Sequence, residues 1–418
     1  MRKKILVRGP ALSRSGYGEQ TRFALRSLRK YEDRFDIYLI NTNWGKTGWI
    51  YQESEERRWT DHLLEKTIKH QQKNKQFDMS LQITIPNEWE QLAPINIGYT
   101  AGIETTKVSP QWIEKSFLMD RIIVISDHAK QVYANTVYQG KDKNGNVAQL
   151  KCQTPIEVVN YPVRNFESRE VNLSLETDFN FLVMSQWSPR KNLQNTIEWF
   201  VKEFKNENVG LVVKTFFKSN CTIDKYYTRQ HLQKLLKAFP DRKCKIYLLH
   251  GDLTDEELTG LYQHPNIKAF ISLAHGEGFG LSIFEAAYNG LPIVAPAWSG
   301  YCDYMYMPVK NKKGKLKRRP QFAKVDYEIR HINKKAVWDG VLQKDSMWCY
   351  PLESSYKSTI KEVHKDYGRF KAQAERLQTW ICDNFTSEEQ YKKFADLVYK
   401  PNPELEDWSA KLGAMEVL

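Results

Sequence analysis

Long apolar runs are missing from this 418-residue chain, and no stretch approaches the roughly 20 apolar residues that a membrane-crossing helix needs. The start, Met-Arg-Lys-Lys-Ile-Leu-Val, is basic, but Arg8 and Pro10 break its apolar run, so it reads as a first strand rather than a secretory signal. A cytoplasmic location is expected, with peripheral membrane contact left open. Cysteine is sparse: six are scattered with no Cys-x-x-Cys pair and no zinc spacing, which argues against a disulfide framework and fits reduced thiols. No Asp-x-Asp and no His-Glu-x-x-His occurs, so the usual ways of holding a catalytic divalent ion are absent and neither metal nor cofactor is expected. With 21 Gly and 16 Pro the chain is neither fibrous nor of low complexity. Acid is in deficit, 50 Asp and Glu against 62 Lys and Arg, and the net charge of +12 favours anionic partners without choosing among them.

What is present is enough apolar material, 41 %, for two cores in a chain too long for one ordinary domain. Short β-rich runs alternate with helical patterns, the rhythm of βαβ units and a parallel sheet. In the first half, strands are expected at Lys4 to Arg8, Phe35 to Asn41, Met79 to Thr84, Ile95 to Thr100, Arg121 to Ser126 and Val158 to Val163. Helices are expected near 19–30, 55–72, 110–117 and 127–138, and a turn at 140–149. A second series begins at Phe179, with strands at 181–185, 210–215, 245–250, 269–273 and 292–295, and after Ser354 the pattern turns helical. The expected domains are 1–168, a polar linker 169–178, a second α/β domain 179–385 and a helical tail 386–418 that packs back toward the first. A ligand cleft lies by default beyond the carboxyl ends of the strands of such sheets.

The chemistry concentrates in His275-Gly-Glu-Gly-Phe-Gly-Leu-Ser-Ile-Phe-Glu-Ala-Ala-Tyr-Asn-Gly-Leu-Pro-Ile-Val-Ala-Pro296. A strand ends in a Gly-rich turn, a short helix follows, and Gly290 stops it. Gly276, Gly278 and Gly280 let backbone N–H groups approach a phosphate, and the helix start near Leu281 adds the positive end of its dipole. Glu277 and Glu285, with seven residues between them, are expected to face one cleft and accept paired hydrogen bonds from vicinal hydroxyls, unless both merely favour a helix N-terminus. Upstream, Arg190 and Lys191 in Ser185-Gln-Trp-Ser-Pro-Arg-Lys-Asn192 follow a strand where a cation pair can clamp a diphosphate, although an exposed basic helix start would look the same.

This stretch resembles the signature of the family 4 glycosyltransferases, retaining enzymes of the GT-B fold. It carries the paired Glu, the Glu-Gly-Phe-Gly turn, the Glu-Ala helix and Gly-Leu-Pro. The resemblance implies two Rossmann-like domains facing a central cleft, with the helical tail crossing between them. It implies a nucleotide-sugar donor, UDP-glucose or similar, with no cofactor required. Glu277 would contact the donor sugar, Glu285 the ribose, and Gly278, Phe279, Gly280 and Leu281 the sugar and phosphate through their backbone. The family shows an Arg where Gln186 stands and a Lys matching Lys191, which makes Arg190 the candidate substitute. Lys214 would reach the phosphates, and the Leu253 backbone the nucleobase, while Thr254 and Glu257 have capping-box spacing. In the first half, Gly16 and Gly18 supply a second glycine turn toward the diphosphate, and Glu104, with Thr100, is the acceptor-side candidate. Retention at the anomeric carbon would proceed by a same-face displacement without metal.

One run remains: seven of the ten residues from 310 to 319 are basic, namely Lys310, Lys312, Lys313, Lys315, Lys317, Arg318 and Arg319. It reads as a solvated loop or as an anion site for a phosphate backbone or an anionic lipid surface. Trp44, Trp49 and Tyr51 near Lys46 are suited to stack on a sugar or an unpaired base, but burial is the commoner fate of such residues. The chain also resembles uncharacterised glycosyltransferases of marine bacterial viruses. Two acceptors follow, a hydroxymethylated base in DNA, which the basic run favours, or a cell-surface glycan or glycolipid. A fold of this class that binds nucleic acid without catalysis is the alternative.

Overall fold

The computed structural model describes residues 2–141, 147–310 and 314–401. The first half runs β1 (Lys3–Gly9), α1 (Gly16–Arg29), β2 (Phe35–Asn41), α2 (Glu55–Gln71), β3 (Met79–Gln82), β4 (Ile95–Thr100), α3 (Pro110–Ser116), β5 (Arg121–Val124), α4 (Asp127–Asn135), β6 (Val137–Lys141), β7 (Val147–Lys151) and β8 (Ile156–Val158). The second runs β9 (Asn180–Gln186), α5 (Leu193–Phe204), β10 (Gly210–Phe216), α6 (Thr222–Leu236), β11 (Lys245–Leu249), α7 (Asp255–Tyr262), β12 (Ile267–Ile271), α8 (Leu281–Tyr288), β13 (Ile293–Pro296) and α9 (Cys302–Met305). Then come β14 (Tyr306–Lys310), β15 (Leu316–Pro320), β16 (Ala323–Val325), β17 (Tyr327–His331), β18 (Met347–Pro351) and the helices α10 (Glu353–Lys365), α11 (Tyr367–Asn384) and α12 (Ser387–Val398).

Two six-stranded parallel sheets result, ordered β2-β1-β3-β4-β5-β8 and β11-β10-β9-β12-β13-β16. In the second, strand order reverses between the neighbours β9 and β12, so the crevice of that sheet opens between the loops that follow them. In the first, it reverses between β1 and β3. α1 shows why the sequence folds this way: the Ser15 side chain caps it by accepting from Gly18 N, and Phe23, Ala24, Leu25 and Leu28 bury one face. Full burial of a Phe or Leu side chain is worth about 1.5–3 kcal/mol.

The halves are joined twice. Val163 N donates to the Phe385 carbonyl and Ser387 Oγ to the Val163 carbonyl, so the link near Tyr161 and the step from α11 to α12 run side by side. Phe385 packs on Phe284 and Tyr304 of the second half, while Phe394 packs on Phe23 and Tyr99 of the first. Arg34 pairs with Asp396 at 2.6 Å.

Several local expectations change. The helix from Asp127 ends at Asn135, and β6 and β7 form an antiparallel hairpin where a simple turn was expected, because Val137, Tyr138, Val147 and Leu150 suit a strand better than a helix end. The tip of that turn, 142–146, lies outside the described residues, as do 402–418 of the expected tail. The strand expected at 158–163 is only Ile156–Val158, since Pro162 cannot donate to a ladder. The polar 169–178 stretch is tied to the second half: Arg169 N donates to the Glu256 carbonyl and Leu173 and Leu175 pack on the core. The basic run is a correction too. Lys310 ends β14, and Lys317, Arg318 and Arg319 lie in β15, paired antiparallel to it. Arg318 donates to the Asp303 carbonyl at 2.6 Å, and Lys312 and Lys313 lie outside the described residues.

Sequence patterning did not foresee an arm built from β17 and β18. Between these antiparallel strands the chain reaches onto the first half: Ser109 Oγ and Asn87 Nδ2 donate to the Gly340 carbonyl, and Thr106 N donates to the Met347 carbonyl at 2.9 Å. Lys107 pairs with Asp345, and Val341 is buried in the cluster of Trp89, Trp112 and Tyr133.

Candidate active site

β9 delivers a 3₁₀ turn, Pro189–Lys191, closed by Asn192 at φ 53° before α5 begins. Arg190 and Lys191 therefore precede the helix rather than start it, and the exposed basic helix start is not what forms. Both point into the crevice at the loop after β12. Arg190 Nη1 donates to the Gly276 carbonyl at 2.7 Å and to Glu277 Oε2 at 3.1 Å, and it pairs with Glu104 Oε1 of the first half at 3.2 Å. Lys191 Nζ donates to Glu277 Oε1 at 2.5 Å.

The loop itself is held by backbone bonds. His275 N donates to the Arg190 carbonyl, Glu277 N to Ser299 Oγ and Gly300 N to the Glu277 carbonyl. Ser299 sits at φ 73° to do this, a left-handed position for a residue that rarely adopts one, and no motif in the sequence flagged it. His275 also bonds the Cys349 carbonyl at 2.7 Å through Nδ1 and stacks on Trp348 of the arm. Gly280, at φ 81°, turns the chain into α8, where the first-turn N–H groups have no partner within the helix.

Electrostatics follow from burial. Burial alone would raise the Glu277 carboxyl, but Lys191 and Arg190 outweigh it and hold the group below its ordinary range, so it is ionised. Burial lowers the Lys191 ammonium, with Glu277 opposing. Arg190 is raised, because Glu104 and Glu277 overcome its own burial. Two carboxylates and two cations share the crevice, and a dianionic group entering it competes with Glu277 and Glu104 for Arg190 and Lys191.

Glu285 lies apart from this cluster. It accepts from Tyr262 Oη at 3.0 Å in a narrow pocket between the halves, lined by Glu19, Arg26, Tyr161, Arg164, Leu281 and Tyr288. The paired Glu thus serve two neighbouring places rather than one. Arg164 bridges the halves above this pocket, pairing with Glu19 at 3.2 Å and Asp255 at 2.9 Å. Burial pushes the Glu285 carboxyl up from its ordinary 4.5 to about 7, Tyr262 offsetting it only in part. Since the folded value exceeds the unfolded one, the folded chain holds this proton more tightly, and stability falls as pH rises from about 4.5 to about 7. Glu285→Gln, which cannot ionise, is expected to match the parent in melting temperature near pH 4.5 and to exceed it by pH 8. The expected gain is roughly 1–3 kcal/mol. A constant difference across that range would refute the assignment.

The remaining residues are placed as follows. Lys214, in the second half of β10, donates to the Gly251 carbonyl at 2.5 Å, and burial lowers its ammonium; it is not part of the Glu277 cluster. Gln186 turns away, donating to the Phe217 carbonyl. The Thr254–Glu257 capping box forms, and Leu253 packs on the core beside it. The Phe279 side chain is core, against Tyr161, Phe284 and Tyr304, so only its backbone is available to a ligand. Gly16 and Gly18 open α1, and a Cβ on Gly18 would lie 2.0 Å from the Ser13 carbonyl oxygen. Thr100 Oγ1 bonds Tyr17 Oη at 2.8 Å. Among the described residues no three His, Cys, Asp or Glu side chains are grouped to hold a metal ion, and no helix is long and apolar enough to cross a membrane.

Residues 165–312 match the family model described as glycosyl transferases group 1. The serotype-specific mannosyltransferase WbdA of Escherichia coli is 30 % identical over 118 residues, 28 % of this chain and 13 % of that protein. The chain therefore spans only a small part of that relative. Among solved structures, the sucrose-phosphate synthase of Thermosynechococcus elongatus superposes with a TM-score of 0.62 at 11 % identity, covering 95 % of this chain and 98 % of that one. Anabaena HepE, in complex with UDP and glucose, gives 0.57 at 12 %, covering 95 % and 99 %. The lipopolysaccharide outer core galactosyltransferase WaaB in its apo form gives 0.54 at 11 %, again covering 95 % and 99 %. These likenesses establish the fold, GT-B, with two Rossmann-like halves.

Proposed function

We propose that this chain, a GT-B fold whose residues 165–312 form a glycosyl transferases group 1 domain, moves a hexose from a nucleotide-sugar donor to a hydroxyl acceptor with retention and without a metal. The observation that carries the reading is the cluster of Arg190, Lys191, Glu277 and Glu104, assembled from both halves at the switch point of the second sheet. Such a cluster supports catalysis over a fold kept only for nucleic-acid binding. The UDP bound to Anabaena HepE supports a UDP-sugar as donor.

In this reading the diphosphate displaces Glu277 from Arg190 and Lys191, which with the N-terminus of α8 stabilise the leaving group as the anomeric bond to phosphate breaks. Glu277, released, accepts from the sugar hydroxyls, and Glu285 accepts from the ribose. Lys214 and the Leu253 backbone serve the phosphate and base. Gly16 and Gly18 present the first half to the diphosphate, with Gly278, Phe279, Gly280 and Leu281 facing it from the second. Glu104 fixes Arg190 from the acceptor side. The acceptor hydroxyl gives its proton to the departing diphosphate oxygen on the same face. Family 4 membership and the viral resemblance belong to the same proposal.

For the acceptor, a hydroxyl of a cell-surface glycan or glycolipid is favoured, since WaaB is named as a lipopolysaccharide outer core galactosyltransferase. A hydroxymethylated base in DNA is the second reading, favoured by the basic hairpin β14–β15. The test offers labelled UDP-glucose, UDP-galactose and GDP-mannose with hydroxymethylated DNA or with lipid and glycan extracts, and reads products by mass spectrometry. No binding or slow hydrolysis of any donor would overturn the whole proposal, and chelator-sensitive turnover would overturn its metal-free part. If DNA is the acceptor, changing Lys310, Lys317 and Arg319 to Ser is expected to cut DNA transfer at least about tenfold and spare donor hydrolysis. The log–log salt slope of DNA binding would fall by about 3 units. Unchanged DNA transfer removes the hairpin from the acceptor site.

A further inference from the structure

The expectation that Trp44, Trp49 and Tyr51 are buried holds only for part of the set. Trp44 is half-buried, stacked on Tyr17 with ring centroids 4.2 Å apart. Trp49 is 38 % exposed and Tyr51 82 %, while Ile50 between them is half-buried. Both rings therefore reach solvent within three residues of one another. An exposed Trp two residues from an exposed Tyr offers two large ring faces to a ligand.

The segment is rigidly held beside the catalytic cleft. Trp49 bridges Ser13 of the glycine turn, Ile50 N donates to the Leu12 carbonyl, Arg14 N to the Gly48 carbonyl, and Ser13 Oγ lies 2.6 Å from Thr47 Oγ1. Tyr17, under Trp44, bonds Thr100 and accepts from Ala101 N, and the Ala101 carbonyl packs directly against Gly278 of the donor loop. A continuous path of contacts therefore joins the exposed rings to Gly278. The opposite flank, at Thr106 and Ser109, is taken by the β17–β18 arm.

Charge separates the candidate occupants. Between residues 43 and 54 the chain carries one cation, Lys46, and one anion, Glu53. The neighbouring arginines are engaged: Arg14 with Asp252, Arg57 with Asp61 and Arg58 with Glu53. A nucleic-acid strand stacking here would bring several phosphates to a segment with Lys46 as its single cation and Glu53 as an opposing anion. The apolar face of an uncharged sugar ring meets no such mismatch.

We propose that Trp49 and Tyr51 form a stacking platform for a neutral sugar ring of the acceptor, so that the chain extends a glycan rather than modifying a base. This rests on the glycosyltransferase reading above, and the experiment separates the two. Protein labelled with 5-fluorotryptophan gives a Trp49 fluorine resonance, assigned by its loss in Trp49→Phe. Mannotriose, maltotriose, lactose and a 12-nucleotide oligothymidylate are titrated in turn, with UDP binding and slow donor hydrolysis measured on the same samples. The expected result is a saturable shift of the Trp49 resonance by at least one saccharide, weakened about tenfold or more in Tyr51→Ala, with UDP binding unchanged in every variant. No shift with any saccharide, a shift with the oligothymidylate alone, or equal saccharide affinity in Tyr51→Ala overturns the platform while donor hydrolysis persists. Loss of UDP binding and hydrolysis in the unaltered protein overturns the glycosyltransferase reading instead.

Discussion

Glu277→Gln is expected to lower sugar transfer by about 100- to 1000-fold while UDP binds as tightly as before or a few-fold more tightly. The opposite signs come from the geometry. In the free protein Glu277 holds Lys191 at 2.5 Å and Arg190 at 3.1 Å, so a diphosphate must first take those cations from a carboxylate. Gln keeps the shape and removes the competing charge, and the cations then meet the diphosphate with less to displace. On the proposed role of Glu277 the sugar loses its anionic partner, and that loss falls on the step in which the anomeric carbon becomes cationic. Lys191→Ala removes a clamp residue and is expected to weaken both quantities, because nothing replaces the cation and Glu277 is left partly unpaired in a buried place. Calorimetric UDP binding beside steady-state transfer rates decides the matter. Parallel losses in both for Glu277→Gln would mean that the carboxylate organises the site rather than competing in it.

That competition was only half legible in the sequence. The glycine turn, the spacing of Glu277 and Glu285 and the proximity of Arg190 to Lys191 are local patterns, readable because a strand, a tight turn and a short helix leave few alternatives. The sheets were legible for the same reason: β9, β10, β12 and β13 are buried strands whose apolar runs end in turn residues. What could not be read was long-range. Nothing near Glu104 indicates that it faces Arg190, 86 positions on, and nothing near Glu285 reveals Tyr262 or Arg164 around it. The arm was missed because its strands are short and its polar excursion looks like an ordinary loop. Its place is set by contacts distant in sequence, the burial of Val341 among Trp89 and Trp112 and the bonds of Asn87 and Ser109 to the Gly340 carbonyl. The pairing of the basic run was not legible for a related reason, since charge describes solvation and says nothing of the antiparallel ladder in which Val309 faces Lys317 and Lys310 faces Leu316.

The last of these long-range features sets a second large effect. Gly276→Ala is expected to lower transfer at least about 100-fold while leaving UDP bound within a few-fold of its original strength. A Cβ at Gly276 would stand 2.4 Å from the Glu104 carbonyl oxygen, and one at Gly278 would stand 2.7 Å from that of Ala101. Both obstacles are backbone, so neither can swing aside, and the two halves have to separate at this point. Separation breaks the 3.2 Å pair of Arg190 with Glu104 first, because that pair spans the gap, whereas Lys191 and Glu277 both belong to the second half and move together. A misplacement of about 1 Å at a reacting centre costs about two orders of magnitude, and overpacking costs roughly 1–3 kcal/mol of stability. In the proposed reading the nucleotide contacts lie mainly within the second half and are expected to survive. Gly368→Ala, with open space around its Cβ inside α11, is the matched control and should change neither quantity. Transfer rates, UDP affinity and the radius of gyration in solution are the three readings. Unchanged transfer in Gly276→Ala would mean that the halves react from a more open arrangement than the one in which Arg190 and Glu104 touch.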